Sequence, residues 1–541
     1  IKRRHDGTKF DRLPTVKFKG YPVLPTASRL EELEQNNAHL TAQLATLTED
    51  CAVLKQQLDW FKRQLFGNTS EKRLDVDPAV QGNLLEELGA KAPPQKESPK
   101  ETITYQRRKK ARDGAVNDTG LRFSDDVPRE IIAVTDPEIE AIPADRRELI
   151  GEKVTCRLAQ RPGSYVVIEY TRPVYKLLDD ESIVTTPAPA NVLDKSVADV
   201  SLLAGMLIDK FCYHLPLHRQ HQRLSHCGIQ VSRSSLTNWV SRAIDLLNPI
   251  VDAQSVHLLQ SRVLAMDETP IKAGRQKKGK LRQGYFWPIY GEDDEIVFHY
   301  APSREHRHVQ DFLGDFSGTL LSDGYEAYAA YAKQNAQVTH AQCWAHCRRG
   351  FEQAQESEPG ASADALALVG ALYRHEQIMR DQQLEGEKKL DYRTQHSEPI
   401  VNAFWNWCDG QCHRADLLPR SPLAKALKYA MVRQASLQVF LSDPEVPIDT
   451  NHLERGLRVI PTGKKNWLFC WTEIGAKRVA VIQSLLVTCR LQSVDPYTYL
   501  VDVLQRMSEH PASRVIELTP REWKTKFADN PMKSDLALAQ Q

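Results

Sequence analysis

The sequence predicts a multidomain protein with an α/β core, a mixed sheet with helices packed on it, preceded by a coiled-coil helix, a small β-rich module and a helix-turn-helix unit. Three observations carry that expectation. The chain has 541 residues, several times the usual domain of about 100–150 residues, so several cores joined by linkers are expected. A strict heptad seam lies near its amino end. Far downstream, two short apolar runs each end in an aspartate, the pattern of buried strands whose carboxyl ends face a ligand crevice.

Hydrophobic residues make up 41% and charged residues 26% of the chain, which is ordinary globular usage, and the lack of a long uncharged apolar run argues against membrane spans. Lys plus Arg number 71 against 70 Asp plus Glu, so any contact with nucleic acid must come from local basic patches. Ten cysteines lie far apart, and the chain opens IKRRHDG without a secretory apolar stretch. A reducing cytoplasm is therefore expected rather than a disulfide framework.

After a tail at 1–25, Leu30, Leu33, Asn37, Leu40, Leu44, Leu47, Cys51, Leu54, Leu58, Phe61 and Leu65 alternate at three- and four-residue steps. This a/d seam predicts a coiled-coil helix over 26–70, and Asn37 at an a position favours a parallel dimer in fixed register. Residues 71–113 read as a polar linker, with KAPPQKESPK followed by Arg107, Arg108, Lys109, Lys110 and Arg112. Alternating stretches such as SYVVIEYTRPVYKLL make 114–192 a β-rich module. Over 193–252, helix, short Gly-containing turn and helix suit a helix-turn-helix. Ser232 caps its second helix, which offers Arg233, Ser234, Ser235, Thr237 and Asn238 to a groove.

The core is expected at 255–480. Val263-Leu264-Ala265-Met266-Asp267 and Thr319-Leu320-Leu321-Ser322-Asp323 read as strands, with further strands at 285–290 and 296–300, a helix in HVQDFLGDF and a helical insertion at about 361–441. A helix from Asn451 puts Asn451, Glu454 and Arg458 on one face and Leu453, Leu457 and Ile460 on another. The same spacings also fit a capping box from Asn451 to Glu454 and an ion pair from Glu454 to Arg458. Lys272, Arg275, Lys277, Lys278, Lys280 and Arg282 follow Asp267, while Lys464 and Lys465 follow Glu454, so phosphate partners cluster near both acids. Trp467 reads as a buried aromatic, with base stacking as the alternative. Residues 481–541 complete the chain as a helical region and tail.

LAMDETPIKA, LLSDGYEAY with CWAHCRRGF downstream, and NHLERGLRVIPTGKKNWLFCWTEIGAKRVAVIQSLLVTCRLQSVDPYTYL together resemble the catalytic region of insertion-sequence-66 family transposases. The resemblance extends to QLFGNTSEKR and to HLPLHRQHQRLSHCGIQVSRSSLTNWV, covering most of 30–505. It implies a ribonuclease-H-like core and a DDE set of Asp267, Asp323 and Glu454, separated by 56 residues (323 minus 267) and 131 (454 minus 323). The implied enzyme binds the ends of a mobile element and catalyses metal-dependent DNA cleavage and strand transfer. Two divalent ions stabilise the attacking and leaving oxygens in such chemistry. A set of carboxylates suits Mg²⁺, or Mn²⁺, better than zinc. Asp267 is expected to bridge the ions, with Asp323 and Glu454 each holding one.

Arg233, Ser235, Asn238, Lys277, Lys278, Lys280, Arg458, Lys464 and Lys465 are the expected DNA contacts, with Asn451, Cys343 and His346 in support. The family's zinc-ribbon cysteines are missing from 114–190, where only Cys156 stands. His340, Cys343, His346, Cys347, Cys408, Cys412 and His413 notwithstanding, no structural zinc is expected. The family's Asp-Asn-Asn reads Asp449-Thr450-Asn451, and its Arg-Lys-Asn reads Lys464-Lys465-Asn466. Implied partners are double-stranded element ends and target DNA, a homodimer or higher oligomer, and small accessory proteins of the same element. The expected location is the bacterial cytoplasm at the nucleoid, with no membrane contact. The rival reading is a catalytically silent DNA-binding repressor derived from such an enzyme, against which the presence of all three acids argues. A peptide spanning 26–66 is expected to form a helical parallel dimer that Asn37→Leu stabilises while loosening its oligomer state; a monomer in sedimentation at micromolar concentration would contradict this.

Overall fold

The computed structural model describes residues 122–538 apart from 124, 126, 162, 180 and 278, together with positions 36, 39–41, 43 and 44. The chain divides into two compact units, 1–93 with 355–360, and 94–354 with 361–541. In the first, the described positions within 36–44 are helical, and the seam residues Leu40 and Leu44 are 55% and 64% exposed. The 1–25 tail, the rest of the 26–70 helix with Asn37, and the 71–113 linker with its basic cluster lie outside the described residues, as does Lys278.

In the second unit, strand β1 (Arg122–Phe123) is followed by β2 (Arg129–Ala133), β3 (Arg147–Arg161), β4 (Ser164–Leu177) and β5 (Ile183–Thr185). The last four form one sheet in the order β2-β4-β3, with β5 also on β4. Leu158, Val167, Ile168 and Tyr170 are buried, so packing holds the expected β-rich module together, and Cys156 is free.

The helices Val200–Phe211, Leu217–His226 and Arg233–Leu258 come next. Asp199 caps the first by accepting from Ser201 N. Ser232 caps the third by accepting from Ser235 N at 3.0 Å, as expected. Strand β6 (Ile229–Gln230), between the second and third helices, pairs with β1. The third helix runs past the expected boundary at 252, and past Pro249, because Ile250, Val251, Gln254 and Leu258 continue its buried stripe.

The larger sheet contains β7 (Val263–Met266), β8 (Thr269–Lys277), β9 (Lys280–Tyr290), β10 (Ile296–Ala301), β11 (Gly318–Ser322) and β12 (Val338–Gln342). Its order is β10-β9-β7-β11-β12, with β8 also on β9. The β10/β9 and β9/β7 pairs are antiparallel, and the β7/β11 and β11/β12 pairs are parallel. Every residue of β7 is buried, which explains its unbroken apolar run. β7 and the first half of β8 keep one register along β9, so they are a single strand interrupted at Asp267–Glu268.

The helix Trp344–Ala354 is followed, over the stretch expected as an insertion at about 361–441, by the helices Pro359–Asp381, Gly386–Tyr392, Glu398–Cys412 and Pro422–Val432. Within that stretch the fully buried Arg393 donates to both oxygens of Glu376 and to the carbonyls of Phe440, Asp443 and Val446, so the buried charge is paired and its donors are used. Among the described residues no helix is long and apolar enough to cross a membrane.

The sheet edge at β10 is covered by the helix Glu473–Leu491, which runs through the expected boundary at 480/481. Thr488 Oγ1 accepts from Ile296 N at 3.2 Å and Ser484 Oγ accepts from Phe298 N at 2.9 Å. These two hydroxyls, one helical turn apart, satisfy donors that an open edge would leave free. Gln254 Nε2 adds bonds to Ile296 O and Thr488 Oγ1, joining the Arg233–Leu258 helix to the same edge. Ser484→Ala combined with Thr488→Val is expected to cost about 2–4 kcal/mol in urea unfolding, because both strand donors lose their partners; a loss within about 0.5 kcal/mol would refute the edge-capping role.

Candidate functional site

The parallel register between β7 and β11 aligns Val263 with Thr319 and Ala265 with Leu321, the same spacing of 56 that separates Asp267 from Asp323. Two residues beyond Ala265 and Leu321, the aspartates therefore leave adjacent strand ends at one level and on one face. β11 and β12 align Ser322 with Gln342, which puts Cys343 beside Asp323 in the same row. Cys343 N donates to Ser322 O at 3.1 Å. The row is then tied to the fourth segment, because Thr450 N and Oγ1 both donate to Cys343 Sγ at 3.3 Å. Thr450 immediately precedes the helix Asn451–Leu457, which carries Glu454.

That helix is held against the sheet from its far side. Leu453 and Ile460 are fully buried and Leu457 nearly so, as the spacing predicts. Gly456 has no room for a Cβ, which would lie 2.9 Å from Ile296 Cδ1. The ring of His452 meets that of Tyr290 edge-on at 4.7 Å.

Asp267, Glu268 and Asp323 offer carboxylate oxygens that all lie within 4.8 Å of one another. Asp267 Oδ1 accepts from Glu268 N at 2.7 Å, and Asp323 Oδ1 accepts from Tyr325 N at 2.8 Å. Glu268 also accepts from the Tyr328 hydroxyl at 2.5 Å and pairs with Arg304. Burial first, then the neighbouring Glu268, pushes the Asp267 carboxyl up to about 7, with Asp323 and Glu454 adding to the effect. Glu454 does not join the 4.8 Å group. It faces His346 Nε2 at 3.8 Å and Arg349 at 3.6 Å. Both are too long for hydrogen bonds, and Glu454 Oε1 is buried without a hydrogen-bond partner. Burial lowers the pKa of His346, which favours a neutral ring.

A crowded set of oxygen ligands with no nitrogen in the closest group, and one carboxylate oxygen lacking a partner, fits a hard divalent cation such as Mg²⁺. The structure thus brings Asp267 and Asp323 together and puts Glu454, Cys343 and His346 around them. It adds Glu268, Tyr328, Arg304 and Arg349, which the sequence reading did not select. The signals for Glu268 and Tyr328 were the Asp267-Glu268 doublet and the tyrosines of DGYEAY.

Two bland alternatives for Glu454 are corrected. Thr450, not Asn451, holds the N-cap position and makes no side-chain cap bond. Instead Asn451 N donates to Asp449 Oδ1 at 3.0 Å. Arg458 lies at the helix end, and the cation facing Glu454 is Arg349 of the helix Trp344–Ala354.

The expected DNA contacts lie on several separate elements of the chain. Arg233 and Asn238 are exposed on the Arg233–Leu258 helix, and Ser235 is half-buried with its hydroxyl 2.9 Å from that of Ser232. Lys277 and Lys280 are exposed in the β8–β9 hairpin, Arg458 and Lys465 are exposed, and Lys464 is half-buried. Trp467 is fully buried, as favoured, against Phe211 and Trp471.

Comparison with known proteins adds family evidence. The sequence profile of the Transposase IS66 family matches residues 195–478, that of the IS66 C-terminal element matches 484–521, and that described as Transposase C of IS166 homeodomain matches 53–132. Uncharacterized protein y4hP of Sinorhizobium fredii (strain NBRC 101917 / NGR234) is 30% identical over 87% of this chain and 88% of its own. Uncharacterized proteins y4qI and y4jD of the same strain are 29% identical over 72% and 26% identical over 92% of this chain, covering 75% and 98% of their own lengths.

The crowding has a measurable cost. Because the folded chain holds the Asp267 proton more tightly than the unfolded chain, this group's stabilising contribution is complete below about pH 4 and is lost as pH rises through about 7. In metal-free buffer at pH 8, Asp267→Asn is expected to raise unfolding stability by about 1–3 kcal/mol, with little difference near pH 4; a less stable Asn variant at pH 8 would contradict the crowding.

Proposed function

Because this chain belongs to the Transposase IS66 family, we propose that it is a DDE-type DNA transposase that binds the ends of its element and catalyses strand cleavage and strand transfer on a ribonuclease-H-like core. The observation that carries the reading is the alignment of Asp267 and Asp323 by one strand register, with Glu454 presented from a helix tethered to the neighbouring strand end. The strand order β10-β9-β7-β11-β12, with an antiparallel half and a parallel half, supports the fold assignment.

In this reading Asp267, Asp323 and Glu454 hold divalent cations, Mg²⁺ or Mn²⁺. When bound, such ions supply the positive charge that stabilises the attacking and leaving oxygens of a phosphodiester displacement. The protein's own residues orient the donors. Tyr328 and Arg304 fix Glu268, Tyr325 N fixes Asp323, and Cys343 with Thr450 fixes the start of the Glu454 helix. Glu268 adds a further carboxylate to the same pocket.

Arg233, Ser235 and Asn238 read the element end as part of a helix-turn-helix formed by the helices Leu217–His226 and Arg233–Leu258. Lys277, Lys278, Lys280, Arg458, Lys464 and Lys465 hold phosphates. The heptad seam joins two copies, and the enzyme acts on double-stranded element and target DNA in the bacterial cytoplasm, with small accessory proteins of the element.

Purified protein incubated with its element's end DNA and Mg²⁺ tests the reading. Asp267→Asn, Asp323→Asn and Glu454→Gln should each lower cleavage at least about a hundredfold while DNA binding is kept and no variant is less stable than wild type in metal-free buffer. Near-normal cleavage by the Glu454→Gln variant would remove Glu454 from the site and overturn the DDE assignment.

A further inference from the structure

The stretch after the Glu454 helix carries an aromatic residue in an unusual setting. Trp467 is fully buried and packs on Phe211 and His214. Trp471, four residues on, packs on Phe286, and its Nε1 donates to Lys464 O at 3.0 Å. Gly274 N in the β8–β9 hairpin donates to Trp471 O at 2.9 Å. The loop is thus pinned at both tryptophans, and between them Leu468 and Phe469 are exposed while Cys470 is half-buried. Phe469 is 89% exposed, and its φ of 64° lies in the left-handed region that bulky side chains rarely adopt. An aromatic ring held in solvent on a constrained backbone is poorly explained by folding alone.

Phe469 borders a groove of about 540 Å³ between this loop and the start of the Arg233–Leu258 helix. Lys210, His218, Arg233, Thr237 and Arg478 also line it, and no carboxylate does. Arg478 is matched by Asp245, but no acidic partner of Arg233 is found among the described residues. The ring of His218 stands edge-on to Phe469 at 6.5 Å. Apolar walls, the exposed Arg233 at the edge, an exposed ring and no acid in the lining form a combination that suits a planar base beside a phosphate backbone.

We propose that Phe469 is a stacking residue that seats an unpaired nucleobase of bound DNA in this groove. The proposal rests on the reading of the chain as a DNA-binding transposase and names a ligand contact apart from the acidic pocket. It also moves the stacking role from Trp467, which is buried, to the aromatic two residues beyond it.

The test uses the full chain with Phe469→Ala and Phe469→Tyr, and two otherwise identical duplexes, one fully paired and one with a single unpaired base. Because the ring makes little contact with the protein, both variants should keep the wild-type melting temperature. Wild-type protein and Phe469→Tyr should prefer the duplex with the unpaired base, and Phe469→Ala should lose that preference by about fivefold or more while binding the paired duplex as wild type does. Equal preference in Phe469→Ala and wild type would overturn the proposal and leave the transposase reading standing. A Phe469→Ala effect confined to oligomeric state would overturn it in favour of a protein contact. Failure of the wild type to bind either duplex would overturn the proposal together with the DNA-binding reading beneath it.

Discussion

Bringing the carboxylates of Asp267, Glu268 and Asp323 within 4.8 Å of one another, with Glu454 close by, sets negative charges against each other in a half-buried pocket, and the surrounding fold must oppose that repulsion. Part of the opposition is direct. Arg304 and the Tyr328 hydroxyl sit on Glu268, while Arg349 faces Glu454. The remainder is unresolved within the protein alone. Asp267 keeps its proton up to about 7, and Glu454 retains a buried oxygen without a hydrogen bond. Folding alone gains nothing from these features, whereas a bound cation would compensate both.

What imposes the crowding is sheet geometry. Once β7 and β11 pair in parallel, their register fixes the distance between the two aspartates, and neither can move without sliding a buried strand. β12 extends the row to Cys343, whose sulfur receives Thr450 and so fixes where the Glu454 helix begins. The buried hydroxyls of Ser484 and Thr488, on the helix covering β10, stabilise the opposite edge of the same sheet.

Much of this was legible in the chain because it rests on local pattern. Apolar runs ending in Asp267 and Asp323 could hardly be other than central strands, and the burial of Leu453, Leu457 and Ile460 follows from helical spacing. Glu268 was missed for a physical reason. Strand alternation assigns it to the face opposite Asp267, and only the break in the strand between β7 and β8 lets both carboxylates reach Asp323. The Asn451–Glu454 capping box was a fair local reading, undone by a tertiary contact from Thr450 to Cys343 that no spacing encodes. The helices Arg233–Leu258 and Glu473–Leu491 run on past the expected boundaries near 252 and 480 because each keeps a buried face beyond them. Trp467 is buried as its sequence setting suggests, whereas Phe469, which no local pattern singles out, is left exposed between the two tryptophans that pin the loop.

Segments far apart in sequence converge on one acidic pocket whose donors suit a divalent cation. Purified protein loaded with Fe²⁺ in place of Mg²⁺ and treated with ascorbate and peroxide cuts its own backbone beside the bound metal. The account predicts cuts near Asp267–Glu268, near Asp323 and near Glu454, all suppressed by excess Mg²⁺ and absent from the Asp323→Asn variant. Cuts confined to other segments, such as the cysteine- and histidine-bearing stretch at 408–413, or cuts indifferent to Mg²⁺, would contradict it.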